Sequence, residues 1–292
     1  MRWIALLPLG LALTLAQSLP WINHAFVIVL ENRSYDQVIG NPNLPYLNDL
    51  ARTYGLAARY YGAAHPSLPN YVAMIAGRTF GSRSDDPSQR FYGPTLVEEM
   101  DQRGLSWKAY MQDLPYPGFL GDYAGSPVLY GKKHDPFLLF PAIAHSPQAR
   151  RVVPLHQLFR DLRENHVPNL AFIVPDLCND LHGAPSCPLG PALDQAGDAF
   201  VRHLVTAILK SPAWTGHSVI FIVFDEGGYG PAPGPLYAGG RSLALVVVRG
   251  APHRVSQELF DPYSLLRTLE RAWHLPLLGH AAQVHSFAPF FP

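Results

Sequence analysis

The stretch FVIVLENRSYDQVIG, residues 26–40, runs five apolar residues straight into Glu31 and Asn32. A near-continuous apolar, β-branched run of this kind reads as a strand covered on both faces. A carboxylate beside an amide at the end of such a strand is costly to desolvate unless something pairs with it. Glu has no turn chemistry of its own, so a change of chain direction does not account for it. The arrangement recurs downstream. LAFIV (170–174) leads into Pro175 and Asp176, then Asn179, Asp180 and His182, and SVIFIVF (218–224) leads into Asp225, Glu226 and two glycines. LALVVV (243–248) is a fourth run and GLSWKAYMQ (104–112) a further candidate.

Helical patterns fill the intervals at 44–54, 94–103, 153–165, 192–210 and 262–274. In 153–165, Leu155, Leu158, Phe159 and Leu162 recur at spacings of three and four and form one apolar face. The alternation predicts an α/β protein, a three-layer α/β/α sandwich around a mostly parallel sheet. In such sheets, groups just beyond the carboxyl ends of the strands lie along one edge, where ligands bind. Segments 78–93, 115–150 and 227–241, rich in Pro, Gly and Tyr, are expected to roof one end.

Composition narrows the class. The 292 residues are 48% hydrophobic and 15% charged with zero formal net charge, which suits a large core and argues against nucleic acid or an anionic membrane surface as partner. Arg2 precedes an apolar run interrupted by Pro8 and Gly10, and Thr14 and Ala16 are small residues placed as at a cleavage site. The run is shorter than the ~20 residues that a spanning helix needs. Residues 1–18 therefore read as a signal peptide and 19–292 as one domain, secreted or periplasmic, with no integral span after cleavage. Cys178 and Cys187 are the two cysteines, and export favours a bridge between them over free thiols or a metal half-site.

Glu31, Asn32, Asp225 and Glu226 are all oxygen donors, suited to a divalent cation whose identity the sequence leaves open. The bland reading pairs Glu31 and Asp225 with arginines such as Arg33 or Arg241. In HPSLPNYVAMIAG (65–77), Ser67 precedes a small-residue helix, either as a plain N-cap or as a hydroxyl beside the positive end of the helix dipole. YGKKHDPFLLF (130–140) groups Lys132, Lys133 and His134, fit for an anionic group or for protonating a leaving oxygen. Alternatively the lysines are solvated and His134 bonds Asp135. His156, His166, His203 and His217 read as structural.

Taken in order, VLENRSYDQVIG, HPSLPNYVAMIAG, KKHDPF, PDLCNDLHG, FDEGG and PYSLLRTLERAWHLPLLG resemble the bacterial acid phosphatase and phospholipase C phosphoesterase family, with its alkaline phosphatase-like fold. SLPN also resembles the TFPN segment of nucleotide pyrophosphatases. The resemblance spans about residues 24–280. It implies a phosphoesterase that works through a phosphoserine, with Ser67 as nucleophile and metal ligand beside Glu31, Asn32, Asp225 and Glu226. His134 and His182 then act on the phosphoryl group or leaving oxygen, Asp180 belongs to the catalytic set, and His65, Lys133 and Asn179 bind substrate. The segment DPYSLLRT has Pro262 where relatives often have His, and 229–242 lacks a histidine that many carry, which points to a reduced site. The expected substrate is a small soluble phosphomonoester, because the length leaves little room for an added lipid-binding domain. A phospholipid diester is the first alternative, and a non-catalytic exported ligand- or envelope-binding protein the second.

Overall fold

The computed structural model describes residues 19–292, so the expected signal segment lies outside the described residues. Its strands are β1 (His24–Leu30), β2 (Gly55–Tyr61), β3 (Trp107–Met111), β4 (Tyr123–Ala124), β5 (Tyr130–Gly131), β6 (Val152–Pro154), β7 (Leu170–Val174), β8 (Ser218–Phe224), β9 (Arg241–Val248) and β10 (Arg254–Ser256). Its helices are α1 (Tyr35–Val38), α2 (Pro45–Thr53), α3 (Ser67–Ala76), α4 (Leu96–Gln102), α5 (Pro141–Ala144), α6 (His156–Glu164), α7 (Pro191–Leu209) and α8 (Pro262–Ala272). Eight strands form one sheet in the order β10-β2-β9-β8-β1-β7-β3-β6, and β4 pairs with β5 apart from it.

β1 lies at the centre, parallel to β7 on one side and to β8 on the other. Its side chains alternate between two cores. Ala25, Val27 and Val29 pack with α3, α4 and α8, whereas Phe26, Ile28 and Leu30 pack with α2, α6 and α7. All six are fully buried. A strand with helices on both faces has no polar side, which is why the run reads as continuous rather than alternating.

The structure departs from the sequence reading in several places. β9 is antiparallel to both β8 and β2. No α-helix separates β8 from β9, only a loop with one 3-10 turn at Pro235–Tyr237, and an antiparallel neighbour needs no more than that where a parallel one needs a crossover. β2, whose GLAARYY carries Gly, Ala and Arg among its apolar residues, was not expected as a strand. The helix expected from 153 begins at His156, because Val152 and Val153 pair with Ala109 and Tyr110 of β3.

Buried carboxyls make this fold sensitive to pH away from the strand ends. Glu270 on α8 is fully buried; its Oε1 accepts the Leu278 N–H at 2.9 Å and its Oε2 has no partner. Burial pushes its pKa up to about 8, against the opposing pull of the Leu278 hydrogen bond and Arg267. The unfolded chain releases this proton near 4.5. The stabilisation is therefore complete below that pH and is lost as pH rises through about 8. Glu270→Gln keeps the acceptor and cannot ionise. Its melting temperature should match wild type near pH 4.5 and exceed it above pH 8, an advantage on the order of a few kcal/mol. Thermal denaturation at the two pH values checks this.

Candidate active site

β2 ends at Tyr61, and residues 62–66 carry the chain to α3. Ser67 is the first residue of that helix, and Pro66 holds the N-cap position without a side-chain cap. The serine hydroxyl is therefore not a cap. It donates to Glu31 Oε2 at 2.8 Å and lies 3.5 Å from Glu226 Oε1, in a side chain only 1% exposed. Asn70, one turn further on, braces the loop that presents it. Its Oδ1 accepts from Ala63 N (2.7 Å) and Ala64 N (3.0 Å), and its Nδ2 donates to Ala64 O (2.8 Å) and Pro66 O (3.1 Å).

The parallel strands bring the acids to the same place. Glu31 follows β1, Asp180 lies in the turn after β7, and Asp225 and Glu226 follow β8. The Glu31 N–H donates to Asp180 O (2.8 Å) and the Asp225 N–H to Leu30 O (2.9 Å), locking the three strand ends together. Asn32 contributes its backbone N–H to Asp225 Oδ1 (2.9 Å), with its side chain exposed and a φ of 49° that Asn tolerates better than most residues.

Gly62 allows the close packing behind this cluster. A Cβ there would lie 2.8 Å from Gly239 O and 2.9 Å from both Asp225 O and Glu226 Cα, all backbone atoms that cannot swing aside. Gly62→Ala should displace the Asp225-Glu226 turn and lower kcat/KM by about a hundredfold, with a stability loss of about 1–3 kcal/mol. Steady-state kinetics beside chemical denaturation would separate the two effects.

Glu31, Asp180 and Asp225 are fully buried. The arginines named as possible partners are engaged elsewhere: Arg33 pairs with Asp194 at 3.1 Å, and Arg241 donates to Ala58 O. Burial, then the charge of Asp180, holds Glu31 well above the usual carboxylate range. Burial, then Glu31, does the same for Asp225. For Asp180 burial leads, opposed by the His182 N–H and reinforced by Asp176 and Asp225. Glu226 is pushed up to about 9, by burial and then by Asp225. One oxygen on each fully buried acid, Glu31 Oε1, Asp180 Oδ2 and Asp225 Oδ2, has no hydrogen-bond partner.

The histidines line the same space. His134 Nε2 is 3.1 Å from Glu31 Oε1 and its Nδ1 3.7 Å from Asp180 Oδ2, with the ring stacked on Tyr71. Asp135 faces Tyr130 instead. Burial, then Lys133 and His182, holds the His134 pKa well below its ordinary value. His65 Nδ1 bonds Glu226 Oε2, and its ring stacks on Tyr229 at 4.0 Å. His182 Nδ1 lies 2.7 Å from Gly183 O, with the ring 6.4 Å from His134. The Asn179 amide is tied to Asp176 Oδ2 (3.2 Å), and Lys133 Nζ donates to Asp85 Oδ2 (2.8 Å). Cys178 and Cys187 form a disulfide that closes the loop carrying Asn179, Asp180 and His182. The sequence reading passed over Asn70, Tyr71 and Asp85. Asn70 was visible inside SLPN, whereas nothing in the Ser/Asp-rich loop 82–88 singles out Asp85.

A groove of about 760 Å³ at the opposite end of β3, lined by Asp101, Trp107, Lys108 and Arg151, is a less favourable place for chemistry. Its cations are already paired, Arg151 with Asp101 and Lys108 with Asp161. The cluster of buried acids lies at the strand ends instead.

This doubly covered sheet with its polar strand-end cluster is the fold of the alkaline phosphatase superfamily. A member of that superfamily from Vibrio parahaemolyticus matches with a TM-score of 0.56 at 13% identity, over 87% of this chain and 67% of that one. The phosphoesterase family matches residues 41–276, and the chain belongs to that family of hydrolases acting on phosphoric ester bonds. The phosphatidylinositol-3-phosphatase of Mycobacterium tuberculosis is 30% identical over 96% of this chain and 85% of its own length. The phosphate-repressible acid phosphatase of Penicillium chrysogenum is 28% identical over 86% of this chain, which spans 59% of the fungal enzyme.

Proposed function

We propose that this protein is an exported, divalent-metal-dependent phosphatase that hydrolyses phosphomonoesters through a phosphoserine at Ser67. The observation that carries this reading is the 2.8 Å hydrogen bond from Ser67 to Glu31, within a cluster where, among the described residues, only His134 stands within ion-pair distance of Glu31 and Asp180, and Asp225 keeps an unpaired oxygen. Export rests on the expected signal segment and on the Cys178–Cys187 bridge, which an oxidising compartment favours.

The donor set fits a hard divalent cation, being all oxygen, buried and short of positive charge. Among the described residues, no three acidic, His or Cys side chains close around one point as a finished cage. Glu31, Ser67, Asp225 and Glu226 would hold the ion, with Asn32 at the rim. When bound, the metal lowers the cost of a serine alkoxide and neutralises charge on the phosphoryl oxygens.

The protein's own groups do the rest. Ser67 Oγ sheds its proton along the bond to Glu31 Oε2, whose carboxylate a bound cation would keep ionised, and attacks phosphorus as the ester P–O bond breaks. His182, entering the step protonated on both ring nitrogens with its Nδ1–H held at Gly183 O, gives the departing oxygen the proton from Nε2. Water then attacks the phosphoserine and returns a proton to His182, and Ser67 recovers its own from Glu31. Lys133 and the Ser67 N–H at the start of α3 bind the phosphoryl oxygens. His134, buried between Glu31 and Asp180, braces those carboxylates.

Phosphate release from p-nitrophenyl phosphate tests the reading, measured before and after EDTA and on restoring Mg, Mn, Zn or Ca. Hydrolysis of the monoester, lost with EDTA and regained with metal, is expected. Failure to turn over with any metal across pH would leave the fold as a binding protein. One observation favours a lipid phosphate as substrate: Tyr116, Leu120, Tyr123, Val128, Leu189 and Tyr229 are all exposed in the segments that follow β3, β7 and β8. Vesicles carrying a phosphoinositide or phosphatidylcholine belong in the same panel.

A further inference from the structure

We infer that Asp85 is a positioning residue that ties the serine-bearing helix to the lysine that grips the phosphoryl group, an inference resting on the phosphatase reading above. Its two oxygens serve two elements. Oδ1 accepts the backbone N–H of Leu68, the residue after the nucleophile, at 2.9 Å. Oδ2 accepts Lys133 Nζ at 2.8 Å. The lysine side chain is 13% exposed and the aspartate 31%, so the pair is partly shielded from water.

The loop that delivers Asp85 is held by its own side chains. Ser82 Oγ donates to Gln89 Oε1 (2.7 Å), Gln89 Nε2 donates to Ser84 O (2.9 Å), and Asp86 Oδ1 accepts the Ser88 N–H (2.8 Å). Asp86 is thus turned onto its own loop, and Asp85 is the carboxylate of the two that reaches α3 and Lys133. Lysine is a point charge on a flexible stem, and without a partner its ammonium has no fixed direction. Of its three N–H bonds one is used on Asp85, which leaves two for phosphoryl oxygens. The same carboxylate seats the first turn of α3, so the ammonium and the Ser67 hydroxyl keep a constant separation. In-line attack depends on that separation.

The test compares wild type, Asp85→Asn, Lys133→Ala and the double variant, with Asp86→Asn as control. It reads kcat/KM on p-nitrophenyl phosphate and Ki for inorganic phosphate. Asp85→Asn and Lys133→Ala should each lower kcat/KM and raise Ki by at least about tenfold. The double variant should fall within about twofold of Lys133→Ala, because the amide of Asp85→Asn keeps an acceptor for the Leu68 N–H and the charge it removes acts through that lysine. Asp86→Asn should behave as wild type. Multiplying losses, unchanged kinetics, or tighter phosphate binding by Asp85→Asn would each overturn the inference, the last by showing that the carboxylate competes for the anion's place. Melting curves confirm that the variants are folded at the assay temperature, and Asp85→Glu, which keeps the charge, serves as the rescue if Asp85→Asn is not. A wild type inactive on every phosphate ester would overturn the phosphatase reading itself, whereas an active wild type with a silent Asp85→Asn overturns this inference alone.

Discussion

Ser67→Ala is expected to lower kcat by at least about a thousandfold and to leave the fold intact. The loss follows from removing the nucleophile, since water must then attack the ester directly from a site built for a side-chain oxygen. The fold survives because Ser67 does not cap α3 and its loop is fixed by Asn70. The variant gives up one side-chain hydrogen bond, worth about 1 kcal/mol. Turnover measured beside a thermal melt checks both halves. Near-normal turnover in a folded Ser67→Ala protein would remove the covalent route.

Asp225→Asn is expected to cost nearly as much activity by a different path. The amide keeps an acceptor for the Asn32 N–H and loses the charge. Metal content after dialysis should fall, with an affinity loss of at least about tenfold, the size of effect that even outer-sphere partners of a metal produce. The variant should also melt higher than wild type once both are stripped with EDTA. Asp225 is fully buried beside Glu31, its pKa is raised by burial and then by that neighbour, and a neutral amide removes the repulsion. Elemental analysis and melting curves with and without chelator read these outcomes without reference to catalysis. An Asp225→Asn protein that retains its metal would place the cation elsewhere.

Much of this was legible in the sequence because buried parallel strands leave a strong signature. The runs at 25–30, 170–174 and 218–224 are apolar apart from Ser218 and lead into acids, and all three strands lie side by side at the centre of the sheet. β2 and β10 escaped because GLAARYY and RVS lack a sustained apolar run. The direction of β9 escaped because strand composition does not encode polarity. At the site, each acid after a strand was readable one at a time, whereas Asp85 was not. Its role is set by a loop that folds back across α3, a tertiary fact with no local pattern. The surroundings of His134 were hidden in the same way: adjacency in sequence pointed to Asp135, and packing turned the ring to Glu31 and Asp180. The departures noted in DPYSLLRT and in 229–242 bear on how many cations the site takes, and the same elemental analysis gives the stoichiometry.

The stereochemical course at phosphorus is the most direct measurement. A phosphomonoester made chiral with oxygen isotopes is hydrolysed, and the configuration of the product is compared with that of the substrate. Two in-line displacements, first by the Ser67 oxygen and then by water, predict net retention. Net inversion would mean a single displacement by water, and Ser67 would then not carry the phosphoryl group.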